Sequence, residues 1–129
     1  MPRLQGCRVL LVEDELLIAL DLQLSLEDAG ADVVMADGVA TGFAALARCR
    51  AAAALPHVAL LDVRLGDGEV FPVADELSAA GVPIVFHSGH AQGGDLARGY
   101  PDAAVLSKPA PIDALLAALA ARYAREVAS

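Results

Sequence analysis

Four short stretches of this chain carry side chains suited to handling a charged oxygen-rich group: Glu13-Asp14, Asp62, Ser88 and Lys108. Each stands at or just beyond the end of a short apolar run. Brought together, three carboxylates repel, and the repulsion raises the proton affinity of one of them unless a cation intervenes. A hard divalent ion answers that need. Mg²⁺ takes octahedral oxygen ligands, keeps several waters, and is commonly shared between one or two carboxylates and a phosphoryl oxygen. Asp14 and Asp62 are the expected direct ligands, and Glu13 is expected to act directly or through water. A backbone carbonyl just beyond Asp62, that of Arg64, is the expected further ligand.

Such a set suits phosphoryl transfer, where catalysis is mostly in-line placement and neutralisation of spread charge. Asp62 is the candidate nucleophile toward a phosphohistidine donor. Lys108 would pair with Asp62 beforehand and with the phosphoryl group afterwards. Ser88 would donate a hydrogen bond to a phosphoryl oxygen and so report its arrival.

For these residues to meet, the chain must alternate strands with helices. Val9 to Val12 is apolar throughout, too short for a helix, and ended by Glu13-Asp14-Glu15. A run apolar on both faces is what a central parallel strand requires. Residues 16–29 read as a helix, with Leu17, Leu20 and Leu24 on one side at i, i+3 and i+7, and Gly30 as its stop. A strand is expected over 32–36 and an alanine-rich helix over 39–53, closed by Pro56. A third strand over 58–61 delivers Asp62. A glycine-containing loop over 64–69 leads to a helix over 71–80, which Gly81 ends. The fourth strand begins at Pro83-Ile84-Val85-Phe86 and runs out at Ser88-Gly89. Residues 89–103 hold Gly93, Gly94, Gly99 and Pro101, so a helix there should be short or mobile. Strand five covers 104–106, Ser107-Lys108-Pro109 ends it, and an amphipathic helix fills 112–127. Five strands alternating with helices predict an α/β domain with right-handed crossovers and a mainly parallel sheet. In such a sheet ligands bind at the carboxyl ends of the strands, where the four stretches stand.

The 129 residues fit one compact domain, expected to span 1–129. The hydrophobic fraction of 57% owes much to alanine, which favours helices and buries little surface. The apolar runs, such as those over 16–20 and 114–121, fall short of the ~20 residues that span a bilayer. The start, Met1-Pro2-Arg3-Leu4, has no signal-peptide pattern, and a cytoplasmic chain is predicted. Cys7 and Cys49 are isolated and read as small buried hydrophobes. A net charge of −8 argues against nucleic acid as a partner, since neutralising phosphates takes a basic face.

From Leu11-Val12-Glu13-Asp14 through Leu61-Asp62 and Ser88-Gly89 to Lys108-Pro109, the chain resembles the receiver domains of response regulators. The resemblance covers almost the whole length, and its specificity lies in four motifs occurring in order at predicted strand ends. It implies a flavodoxin-like, doubly wound, five-stranded parallel sheet of order 2-1-3-4-5. It also implies Mg²⁺-dependent phosphorylation of Asp62 by a histidine kinase, slow self-catalysed hydrolysis, and a signalling role in place of enzymatic turnover. The stretch from Phe71-Pro72-Val73 to His87-Ser88-Gly89 is similar to single-domain receivers whose fourth strand reads Phe-Ala-Thr-Gly, with His87 for the alanine and Ser88 for the threonine. That likeness implies a sensor kinase of the HWE type. A chain acting alone would then signal through a downstream protein, pass the group on, or serve as a phosphate sink; the alternative is a receiver module from a longer hybrid kinase or regulator.

One departure bears on mechanism. Receivers commonly carry Tyr or Phe three residues before the lysine, and here that place is Val105. Valine has no ring to swing, so a relayed signal would run through 89–103 instead. His90 and Arg64 flank the expected phosphorylation site and are expected to tune the lifetime of the acyl phosphate. His87 and His90, three apart, have no clear carboxylate or thiol partners for a transition metal.

Two rival readings are weaker. A haloacid-dehalogenase-type phosphatase needs a second Asp two residues after the first, and Arg64 stands there. A degenerate receiver serving only as a binding module would lack acidic residues or the lysine, and all are present. Neither of the glycine-rich nucleotide-binding patterns occurs.

Overall fold

The computed structural model describes residues 3–89, 96 and 98–128. The elements in chain order are β1 (Arg8–Val12), α1 (Leu16–Asp28), β2 (Asp32–Ala36), α2 (Val39–Ala51), β3 (Val58–Asp62), β4 (Arg64–Leu65), β5 (Gly68–Glu69), α3 (Phe71–Ala79), β6 (Ile84–Ser88), β7 (Ala104–Ser107) and α4 (Ile112–Ala128). The main sheet has the order β2-β1-β3-β6-β7, and every neighbouring pair runs parallel. Counting only its five strands, this is the 2-1-3-4-5 order of a flavodoxin-like sheet.

The sheet separates two layers of core because side chains alternate along each strand. Leu10 and Val12 of β1, Ala59 and Leu61 of β3, and Ile84 and Phe86 of β6 face α2 and α3, meeting Ala45, Leu46, Val73 and Leu77. Val9, Leu11, Val58, Leu60 and Val85 face the other way, toward Leu22 and Leu26 of α1 and Leu115 and Leu119 of α4. With helices on both faces, β3 is buried at all five positions, which explains why its sequence shows no polar alternation. Helices α1 and α3 each give way to a glycine with positive φ, Gly30 and Gly81, as expected for left-handed stops.

Three local features differ from the sequence expectation. Leu17, Leu20 and Leu24 do share a side of α1, but that side faces solvent at 82%, 42% and 63% exposure. The buried side is Ala19, Leu22 and Leu26, a second i, i+3, i+7 series on the same helix. Helix α2 stops at Ala51, short of the expected 53, and Ala53 takes a positive φ of 53° in the turn that follows. The loop over 64–69 folds into a two-residue antiparallel ladder, Arg64 with Glu69 and Leu65 with Gly68. Of the stretch 89–103, Leu96, Arg98 and Gly99 are helical and Leu96 is buried. The expected short or mobile fourth helix otherwise lies outside the described residues.

Candidate functional site

Strands β1 and β3 are hydrogen-bonded neighbours in register from Val9–Val58 to Val12–Leu61, so the residues that follow emerge side by side. Asp62, the last residue of β3, and Glu13, the first after β1, are both buried; Asp14 is exposed. One carboxylate oxygen from each of the three lies within 4.8 Å of the other two. The β4–β5 ladder flanks this group, since a Cβ built on Gly66 would lie 4.0 Å from Asp14 Oδ2. Arg64 opens the ladder two residues beyond Asp62, with its side chain exposed.

Lys108 enters from the far end of β7. Its Nζ lies 2.9 Å from Asp62 Oδ2 and 3.7 Å from Glu13 Oε1. Its backbone N–H donates to the Ser88 carbonyl at 2.7 Å, which ties the lysine segment to the end of β6. The Lys108–Pro109 peptide is cis. Ser88 is buried, and its hydroxyl donates to the Gly89 carbonyl at 3.3 Å.

The electrostatics follow from this crowding. Burial, with the neighbouring Asp62 adding to it, pushes the Glu13 carboxyl up to about 7, although a hydrogen bond from the Glu15 backbone N–H and the charge of Lys108 act the other way. Burial alone would lower the Lys108 ammonium, but the hydrogen bond and charge of Asp62, with Glu13 and Glu15, outweigh it and hold the group above the usual lysine value. Three hard oxygen donors and one ammonium form a group that is short of positive charge. It therefore fits a hard cation and a phosphoryl group, the ion neutralising the carboxylates and the group engaging the lysine.

Glu13, Asp14, Asp62 and Lys108 thus come together at the carboxyl edge of the sheet, and Ser88 stands one residue beyond the register partner of Asp62 on β6. His90 lies outside the described residues, and with it the pairing of His87 and His90 and the flanking role expected of His90. Val105 is half-buried against the core on the α2–α3 side.

Three further polar residues were not singled out from sequence as contributors. His87 is buried opposite Asp62 in the β3–β6 register, and its Nε2 accepts from the Ala110 backbone N–H at 3.3 Å. Burial and then the charge of Lys108 lower its pKa, against the pull of Asp62. Asp67 accepts from the backbone N–H groups of Val39 and Ala40 at 2.8 and 3.1 Å, so it caps α2 from the loop after the site. Tyr100 packs against Phe86 and donates to Asp75 Oδ1 at 2.5 Å. Only His87 had a readable signal, its place one residue before Ser88 in an all-buried strand.

No family model and no curated protein sequence matches this chain. Solved structures do. A response regulator receiver protein from Sinorhizobium medicae is 29% identical, with 95% of this chain and 98% of that chain covered and a TM-score of 0.78. The response regulator PhyR from Brucella abortus is 26% identical, with 98% of this chain but 51% of that chain covered and a TM-score of 0.80. A CheY-like response regulator receiver domain protein from Methanospirillum hungatei is 21% identical, with 95% and 97% covered and a TM-score of 0.81. The structural neighbours of this chain are receiver domains of response regulators, and it has their fold.

Proposed function

We propose that residues 1–129 form one receiver unit that accepts a phosphoryl group from a histidine kinase onto Asp62, as a response regulator in two-component signalling. The observation that carries this reading is the ammonium of Lys108 lying 2.9 Å from Asp62 Oδ2 inside a group of three carboxylates. An Asp62 oxygen attacks phosphorus, the P–N bond of the donor phosphohistidine breaks, and the imidazole leaves with its electron pair. The product is an acyl phosphate, which water later hydrolyses. Lys108 moves its hydrogen bond from the carboxylate to the incoming phosphoryl oxygen, and the Ser88 hydroxyl turns from the Gly89 carbonyl to a second one. Asp14 and Asp62, with Glu13 directly or through water and the Arg64 carbonyl, would hold a Mg²⁺ ion, which when bound would neutralise charge on the phosphoryl oxygens.

The donor is a protein, and the surface beside the site suits one. Leu16, Leu17, Leu20 and Leu24 expose a stripe along α1, which begins two residues after Asp14. The charged residues of α1 are all acidic, Asp21, Glu27 and Asp28, so a docking helix with an apolar ridge and basic flanks complements it. A kinase of the HWE type is the proposed donor, on the likeness to Phe-Ala-Thr-Gly receivers. The chain is proposed to be a cytoplasmic phosphoprotein that acts by binding a downstream protein, by relay or as a phosphate sink. Coverage of only 51% of PhyR supports the alternative, a receiver module within a longer protein.

Incubation with acetyl phosphate and Mg²⁺ followed by intact mass tests the reading. One phosphoryl group should add to the wild-type chain and none to Asp62→Asn, with uptake abolished by a chelator. Uptake by the asparagine variant equal to wild type would overturn the assignment.

A further inference from the structure

The end of β6 grips the segment that carries the lysine at two points, and the second is a side chain. The Ser88 carbonyl accepts from Lys108 N–H at 2.7 Å, and His87 Nε2 accepts from Ala110 N–H at 3.3 Å, two residues further on. The segment from Lys108 to Ala110 is therefore anchored at both ends to the same strand. His87 is the register partner of Asp62 on one side and of Leu106 on the other. Register partners on neighbouring parallel strands face the same side of the sheet, so the ring lies on the side from which Asp62 projects. Because Nε2 accepts, the ring proton is on Nδ1, and Nδ1 is buried without a hydrogen-bond partner among the described residues. A small apolar residue at this place would do away with the unpaired Nδ1, but it would also take the acceptor away from the Ala110 N–H. The ring sits in a setting that penalises it, and its hydrogen bond to the Ala110 N–H holds the lysine segment.

We infer that His87 is a positioning residue for phosphoryl uptake, fixing the segment from Lys108 to Ala110 so that the ammonium is held over Asp62. The inference rests on the proposed phosphoacceptor role of Asp62 and adds to it a residue that touches neither phosphorus nor metal. Small displacements of a group that neutralises the transferred oxygens slow the reaction without unfolding the protein.

Three variants separate positioning from packing. His87→Phe keeps a ring without an acceptor, His87→Gln keeps an acceptor without the ring, and Lys108→Ala removes the group said to be positioned. In acetyl phosphate with saturating Mg²⁺, His87→Phe should take up phosphate about 10-fold more slowly than wild type. His87→Gln should recover most of that rate. Added to Lys108→Ala, His87→Phe should slow uptake no further, because its effect passes through the lysine. A wild-type rate in His87→Phe, or losses that multiply in the double variant, would overturn the inference. Amide exchange gives a second measurement that needs no phosphoryl donor. Exchange at Ala110 should quicken in His87→Phe while β6 amides stay protected, and unchanged exchange at Ala110 removes the contact on which the inference stands. Should the wild-type chain take up no phosphate, the proposed function falls, and the exchange comparison still judges the His87 contact by itself.

Discussion

At the scale of single residues, Glu13 gives the site a pH dependence. Its carboxyl is pushed up to about 7, foremost by burial, whereas an unfolded glutamate titrates near ~4.3. Between those values the folded chain holds a proton that the unfolded chain has released, so this group's contribution to stability declines as pH rises from about 4.3 to about 7 and is level above. Under the proposed function, Mg²⁺ would compete with that proton. Thermal unfolding should therefore show little Mg²⁺ stabilisation near pH 5 and a clear upward shift of the midpoint at pH 8. Glu13→Gln should remove the decline, and a decline of wild-type size in that variant would contradict the assignment. A second residue-scale prediction concerns Tyr100, whose hydroxyl donates to Asp75 while its ring packs on Phe86. Tyr100→Phe keeps the ring and loses the bond, and chemical denaturation should report a loss of about 1 kcal/mol. These residues differ in how readable they were. The acids and the lysine could be placed from sequence because each follows an apolar run, and strand ends converge by topology. The contact of His87 with Ala110 spans 23 residues and depends on a ring angle that no pattern encodes.

At the scale of elements, helix α1 shows where periodicity runs out. It carries two apolar series at the same spacing, Leu17, Leu20 and Leu24 against Ala19, Leu22 and Leu26. Hydrophobicity favours the first series, yet the structure buries the second, with Leu22 and Leu26 packed into the core against β1 and α4. Leu17→Ser should consequently change stability by less than about 0.5 kcal/mol, as for an exposed position, while Leu26→Ala should cost about 3 kcal/mol through a cavity. Urea unfolding of the two variants reads the contrast directly, and equal losses would reverse the assigned faces. The turn after α2 supplies a further case. Ala53 is held at a φ of 53°, a region that costs a side chain about 1 kcal/mol or more. Ala53→Gly should raise the unfolding midpoint by relieving it. Helix α2 is preceded by Gly38 as its N-cap, where an added Cβ would come within 2.7 Å of Asp67 Oδ1. Gly38→Ala should displace the Asp67 carboxylate from the N–H groups of Val39 and Ala40 and lower the midpoint.

At the scale of the whole molecule, the alternation of five short apolar runs with helical stretches was enough to give the α/β class, and the resemblance gave the strand order that the structure shows. The order itself is a product of tertiary packing: β1 sits between β2 and β3 because helices must cover both faces, and no single segment states that. The β4–β5 ladder escaped the reading because two residues per strand are too few to form a pattern. The molecule that results concentrates buried acids and one ammonium at a single sheet edge, with an exposed leucine stripe beside it. The central claim is that this edge makes Asp62 a phosphoryl acceptor. Its most direct measurement is reductive trapping after incubation with acetyl phosphate and Mg²⁺. Borohydride reduces an acyl phosphate to the alcohol, so peptide mapping should find homoserine at position 62 and only when donor and metal were both present. An unreduced Asp62 in chains that have gained a phosphoryl group, with the label on another residue, would contradict the account.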